Sequence, residues 1–181
     1  MVRLMTPSDT APQTILAAGD TFLHTVASDP RVGMLLDALE HEYDERYHDF
    51  AVDAAYNEIH RFSDDTFSPP NGTFLLLLRD GVAIAGGAFM TADASTVEFK
   101  RIWTHPDHRG RGLARLVLLE LEREAARRGF AEVILSTGPR QPEAVRLYLA
   151  TGYEPQFDPS LDAATIGEHA FRKHLGETRE L

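Results

Sequence analysis

The feature that most restricts the fold is the junction His105-Pro-Asp-His-Arg109-Gly110-Arg111-Gly112-Leu113-Ala114. It follows a strand-like stretch, Thr96 to Thr104, and opens the best amphipathic helix of the chain, Leu113 to Arg128. The apolar stripe of that helix is Leu113, Leu116/Val117, Leu121 and Ala125, and Gly129 closes it. A helix entered this way aims its first turn at the loop. That turn carries unpaired N–H groups and the positive end of the helix dipole, so it favours an anion. Glycines 110 and 112 let the backbone approach one without a Cβ in the way, and Arg109 and Arg111 add charge and forked donors. A P-loop would need Gly-x-x-x-x-Gly-Lys-Ser/Thr, which is absent, and a dinucleotide fingerprint would need Gly or Ala where Arg115 stands. An anion cradle of another kind remains, beside a plain turn before a helix.

The elements around the junction form a mixed α/β order. Thr21 to Ala27 reads as a first strand. Asp29-Pro30 marks a helix start, and Val32, Leu35, Leu36, Leu39 and Tyr43 carry that helix to about Tyr47. A second helix is expected over Ala51 to Phe62 and a loop over Asp64 to Gly72. Strands Thr73 to Leu78 and Val82 to Met90 flank Arg79-Asp80-Gly81, a hairpin signal, and Thr96 to Thr104 adds a third strand to the meander. Phe130 to Leu135 reads as a strand, Pro142 opens a short helix that Gly152 ends, and the tail through His169 to Leu175 reads as a closing pair of strands. Helices covering a central sheet are the expected fold.

Length and composition set limits on this reading. The chain has 181 residues, which argues for one domain, with residues 1–19 as a frayed lead-in. It has no cysteine, so disulfides, thiolate metal sites and a cysteine nucleophile are excluded. The net charge of −10 is uneven: −10 over residues 1–96, +3 over 97–140 and −3 over 141–181. An acidic body excludes a general nucleic-acid binder, while the basic middle suits a small anionic ligand. The longest apolar run, Phe74 to Leu78, is too short for a membrane span, and the N-terminus has no signal-peptide core. A cytoplasmic protein is expected.

With these residues in view, Glu98-Phe-Lys100-Arg101-Ile-Trp-Thr104-His-Pro106-x-x-Arg109-Gly110-x-Gly112-Leu-Ala resembles the acyl-CoA signature of the GNAT superfamily of N-acetyltransferases. The element order is similar over roughly residues 20–175. The resemblance implies a GNAT-like fold: a central, mostly antiparallel twisted sheet of about six to seven strands flanked by about four helices. It implies acetyl-CoA as donor. Its Arg/Gln-x-x-Gly-x-Gly/Ala loop maps onto Arg109, Gly112 and Ala114, with Gly110, Arg111 and Leu113 in the same cradle. The preceding strand would lend Ile102, Trp103 and Thr104 to the pantetheine arm. A second signature, Gln141-x-x-Ala144-x-x-x-Tyr148-x-x-x-Gly152-Tyr153, departs from the family pattern at Gln141, commonly Asn, and at Tyr153, commonly Phe. Gln keeps the amide, so Gln141 stays a candidate contact. Apolar residues at 97 and 99 and then at 102 and 103 slip out of period two, as an extra bulged residue would require. A bulge here is expected of the family, although Lys100 and Arg101 also read as surface residues.

Acetyl transfer to an amine needs a base for the ammonium and an acid for the departing thiolate. The resemblance places Tyr148 as acid, against a plain reading as a packed helix aromatic. A phenol, with pKa about 10, is still protonated when a thiolate needs quenching. Glu98 is the candidate base, directly or through water, against a carboxylate paired with Lys100 or Arg101. His24 and His60 are weaker alternatives. His105-x-x-His108 lacks a third ligand, so no metal is expected. Residues 37–65 hold ten acids interleaved with Tyr43, Tyr47, Phe50, Tyr56 and Phe62. They read either as solvated helix faces and core, or as the wall of a pocket for a cationic amine. The expected partner is a small-molecule amine, with no nucleic acid and no membrane, and a homodimer is left open. The rival reading is a non-catalytic acyl-CoA-binding regulatory module.

Overall fold

The computed structural model describes residues 16–49 and 54–176. Most of the lead-in expected at 1–19, the start of the second helix at 51–53 and Phe50 lie outside the described residues. Among the described residues, seven strands form one sheet in the order β1-β2-β3-β4-β5-β7-β6. They are β1 (Asp20–Thr25), β2 (Gly72–Arg79), β3 (Val82–Thr91), β4 (Thr96–Thr104), β5 (Glu132–Thr137), β6 (Glu154–Pro155) and β7 (His169–His174). Every neighbouring pair is antiparallel except β4–β5. The helices are α1 (Pro30–Tyr47), α2 (Ala54–His60), α3 (Leu113–Arg127), α4 (Pro142–Ala150) and the single turn α5 (Ala163–Ile166).

The all-apolar run of β2 is explained by cover on both faces. Leu75 and Leu77 join Val117 and Leu121 of α3 in one core, while Phe74, Leu76 and Leu78 join Val32, Leu35 and Leu39 of α1 in the other. Period two is kept, and both phases are buried. Asp80 and Gly81, both at positive φ, close the β2–β3 hairpin.

Among the differences from the sequence reading, three have a local reason. β1 stops at Thr25 because its hydroxyl donates to Asp29 Oδ2 at 2.8 Å. Asp29 then caps α1, accepting from the Arg31 N–H at 2.9 Å. β5 starts at Glu132 because Phe130 belongs to the cap of α3. Its N–H bonds the Ala125 carbonyl and that of Gly129 bonds Ala126, a Schellman pair. The segment expected as a loop contains a 3-10 turn, Asp64–Phe67, whose Phe67 is buried against Phe62 and Phe74.

The phase slip in β4 is a bulge. Gly86 pairs Trp103 and Ala88 pairs Lys100, so one residue of β3 faces two of β4, and Arg101 takes φ +59°. The parallel ladder to β5 stops at Phe99–Leu135, while β5 continues along β7 to Thr137. Beyond Phe99 the two strands therefore part, and the backbone of Lys100 to Thr104 faces a cleft on that side.

Candidate active site

Two cavities fill this cleft. One, of about 330 Å³, runs along Trp103, Thr104 and the 109–114 loop. The other, of about 510 Å³, opens beyond the bulge between α1, α2 and the turn after β5. Ile102, Gln141, Ala144 and Tyr148 line both, so the two chambers meet there.

The first chamber has the chemistry of an anion cradle. Gly110 and Gly112 sit at φ +73° and +77°. No side chain caps α3 at Gly112, so the N–H groups of Leu113 and Ala114 have no partner among the described residues, while that of Arg115 bonds the Gly112 carbonyl. Arg109, Gly110, Gly112, Leu113 and Ala114 line this chamber as the motif predicts, together with Ile102, Trp103 and Thr104 of β4. Arg111 is exposed and outside the lining, because the turn at Gly110–Gly112 carries it away; Arg115, one turn into α3, lines it instead. Trp103 Nε1 and Thr104 Oγ1 are buried with no hydrogen-bond partner among the described residues. Buried polar atoms without partners are uncommon. These features fit a phosphorylated carrier with an amide-bearing arm.

Arg109 does not wait unpaired. Its Nη2 donates to Glu42 Oε2 of α1 at 2.6 Å, and the other oxygen of Glu42 accepts from Arg46 at 2.7 Å. Residues 67 positions apart in sequence make this contact, which no local pattern announces.

Tyr148 sits on α4 at the meeting point. It is 5% exposed, its ring lying 5.7 Å from Tyr153 and 5.4 Å from Phe171. Its spacing to Gly152 and Tyr153 has a physical origin. The N–H of Tyr153 bonds the Tyr148 carbonyl and that of Gly152 bonds Leu149, with Gly152 at φ +84°, a second Schellman cap. The motif is thus the cap that fixes the tyrosine. Tyr153, where Phe is commoner, has use for its hydroxyl: it donates to buried Glu122 Oε1 at 3.0 Å, and Lys173 Nζ lies 2.8 Å from Glu122 Oε2. Burial, aided by nearby Tyr43, raises the Tyr148 pKa above the ordinary phenol range. Burial also pushes Tyr43, on the far wall, up to about 12.

Gln141 lines both chambers from the start of α4. Its Oε1 accepts from Thr137 Oγ1 and from the Gly138 N–H at 3.2 Å, so it holds the turn after β5. That turn is tight: a Cβ on Gly138 would lie 2.2 Å from the Tyr47 hydroxyl.

The structure does not bring Glu98 to either chamber. Its Oε1 lies 2.7 Å from Lys100 Nζ, two residues along the strand on the same face, and it is Lys100 that lines the second chamber. Arg101 is buried rather than a surface residue, because the bulge turns it beneath α2. His24 lies 3.4 Å from Glu120, and His60 2.9 Å from Glu40; neither lines a chamber. Of the ten acids at 37–65, Glu58 is on the second chamber's wall and Glu42 on the first's, the others among the described residues facing elsewhere. Tyr43 and Tyr47 line the second chamber, and Phe62 packs on the core, while Tyr56 is exposed. No group of three or more metal-ligating side chains occurs among the described residues, and no described helix is long and apolar enough to cross a membrane. Lys100, Arg101 and Glu168 are cavity residues that the sequence does not single out. Two sit side by side on β4 and the third precedes β7, and their charges carry no spacing signal.

Comparison with known proteins agrees with this geometry. The profile of the Acetyltransferase (GNAT) family matches residues 34–153. An IAA acetyltransferase of Azospirillum brasilense is 30% identical over 95 residues, 52% of this chain and 62% of that protein's length. An acetyltransferase from Streptococcus agalactiae superposes with a TM-score of 0.68 at 18% identity, over 87% of this chain and 99% of that one. The PaiA N-acetyltransferase of Thermoplasma acidophilum, solved in complex with coenzyme A, gives 0.66 at 15% identity, over 85% and 99%. The matched span runs from α1 through the bulged strand, the glycine–arginine loop and the Tyr148 cap, and the chain belongs to the GNAT family of acetyltransferases.

Proposed function

We propose that the chain moves an acetyl group from acetyl-CoA to a primary amine by direct attack within a ternary complex. The observation that carries this reading is the junction of the two chambers at Tyr148. A donor laid along the first chamber brings its thioester to that junction, and an amine in the second can reach it. Acetyl-CoA supplies the activated acyl group. The loop Arg109 to Ala114 and Arg115 hold its phosphates, and the unpaired edge of β4 receives its arm. N–H groups on the same edge face negative charge developing on the carbonyl oxygen.

The protons follow from the side chains present. Glu58, on the acceptor wall, takes the proton of the ammonium, a role Glu98 fills only through an intervening water because Lys100 holds it. As the carbon–nitrogen bond forms and the carbon–sulfur bond breaks, the nitrogen loses its second proton to solvent, Tyr148 gives its own proton to the sulfur, and the tyrosine regains one from solvent. Its raised pKa keeps that proton in place across the working range. With no cysteine in the chain, no thiol carries the acetyl group between the two.

Calorimetry with acetyl-CoA, followed by thiol release over a panel of amines, tests the reading. The expected result is binding together with amine-dependent release. Binding with no release from any amine would favour an acyl-CoA-binding regulatory module, and no binding at millimolar acetyl-CoA would contradict both.

A further inference from the structure

The second chamber is not the acidic pocket that the charge of residues 37–65 suggests. Its wall carries Arg61, Lys100 and Arg101 against Glu58 and Glu168. Four of these five have a side-chain partner. Lys100 pairs with Glu98 at 2.7 Å and Arg61 with Glu58 at 3.3 Å, while Glu168 accepts a hydrogen bond from Ser136. Arg101 has no carboxylate within ion-pair distance among the described residues.

Arg101 is also the most enclosed of the three cations, at 9% exposure. Its Nη2 donates to the Ile59 carbonyl, and its guanidinium lies 4.3 Å over the Phe67 ring. Those contacts account for one nitrogen and one face. Nε and Nη1 are buried with no hydrogen-bond partner among the described residues. Burial lowers the group to about 10, which leaves it cationic at neutral pH. An enclosed cation with unmet donors is costly to a fold, and an apolar side chain of similar length would pack on Phe67 without that cost.

Resting on the acyl-transfer reading of this chamber, we propose that the acceptor amine also carries a carboxylate, and that Arg101 is the residue that receives it. Arg101 is the cation of this wall that lacks a carboxylate partner among the described residues, and one guanidinium matches a monoanionic carboxylate better than a doubly charged phosphate. The guanidinium turns toward the chamber it lines when the carboxylate enters, and Nε and Nη1 gain acceptors. Glu58, close enough to Arg101 to act on its charge, then stands beside the amine end of the same molecule. The acceptor class is thus an amino acid or a related amino-carboxylate rather than a polyamine. Arg101 sets specificity and takes no part in proton transfer.

The test is thiol release from acetyl-CoA with three matched acceptors: an amino acid, its carboxamide and its decarboxylated amine. The expected kcat/KM for the amino acid exceeds that of the other two by roughly ten- to a hundredfold, the range of a charge-assisted hydrogen bond. In Arg101→Gln that advantage collapses through KM, with acetyl-CoA affinity unchanged, and Arg101→Lys restores part of it. If Arg101→Gln does not fold, the acceptor ratio of the unaltered protein decides alone. Equal or better transfer to the carboxamide and the decarboxylated amine would overturn the proposal and leave acetyl transfer standing. Absence of release from all acceptors, with acetyl-CoA bound, would take down the transfer reading and the carboxylate site with it.

Discussion

Single side chains in this molecule owe their roles to partners far away in sequence. Arg109 shows this most simply. We propose it as a phosphate ligand, yet Glu42 of α1 holds it at 2.6 Å, so on that reading a bound phosphate has to compete with a carboxylate. Glu42→Gln should therefore tighten acetyl-CoA binding a few-fold, as expected for a half-exposed ion pair, and calorimetry reads it. The two candidate bases separate in the same way. Glu58→Gln is expected to lower kcat/KM by about 10²-fold or more below the amine's pKa, and to lose less as pH rises and neutral amine accumulates. Glu98→Gln, which frees Lys100, should change the rate far less. Equal losses in the two variants would return the base role to Glu98. None of these relations was legible locally: Arg109 and Tyr148 stand in motifs, but what surrounds them comes from α1, α2 and the turn at 136–138. The burial of Arg101 was hidden for the same reason, since period two says which face a residue takes and not what covers that face.

Elements were far more readable, because caps and turns are written in neighbouring residues. Asp29-Pro30 marked the start of α1, Asp80-Gly81 marked the hairpin, and the phase slip at Lys100–Arg101 marked the bulge. Where a boundary differs, an apolar residue with a strand-like pattern serves a helix cap instead, as Phe130 does. The start of α1 makes a pH prediction. Hydrogen bonds from the Arg31 side chain and backbone hold the Asp29 carboxyl well below its ordinary range. A carboxyl depressed by folding stabilises the fold above its unfolded value of about 4 and loses that contribution as pH falls from there toward the folded value. Asp29→Ala should cost about 1 kcal/mol at pH 7, with the difference from the unaltered protein shrinking below pH 4 in thermal unfolding. The turn after β5 makes another. Gly138→Ala would drive a methyl into the Tyr47 hydroxyl, so acceptor KM should rise while acetyl-CoA affinity holds.

At the scale of the whole molecule, the sheet is a frame whose one parallel pair is opened by one bulge. Two cores, one on each face, hold β2 and β3 rigid, while β4 and β5 diverge past Phe99 and leave the space for both chambers. Buried Tyr153 and Glu122 with half-buried Lys173 tie the cap of α4 to α3 and β7, and so fix the Tyr148 ring against the frame. The uneven charge of the sequence resolves along the same lines. The basic middle supplies Arg109, Arg115 and Arg101 to the chambers, and most of the described acids at 37–65 face away from them. The central claim is that chemistry occurs where the chambers meet, with Tyr148 as the proton donor. The most direct measurement is steady-state turnover of Tyr148→Phe beside its acetyl-CoA affinity. Turnover should fall about 10²-fold or more with affinity unchanged and no alkaline limb below pH 10 in the unaltered protein. Undiminished turnover in Tyr148→Phe would contradict the account.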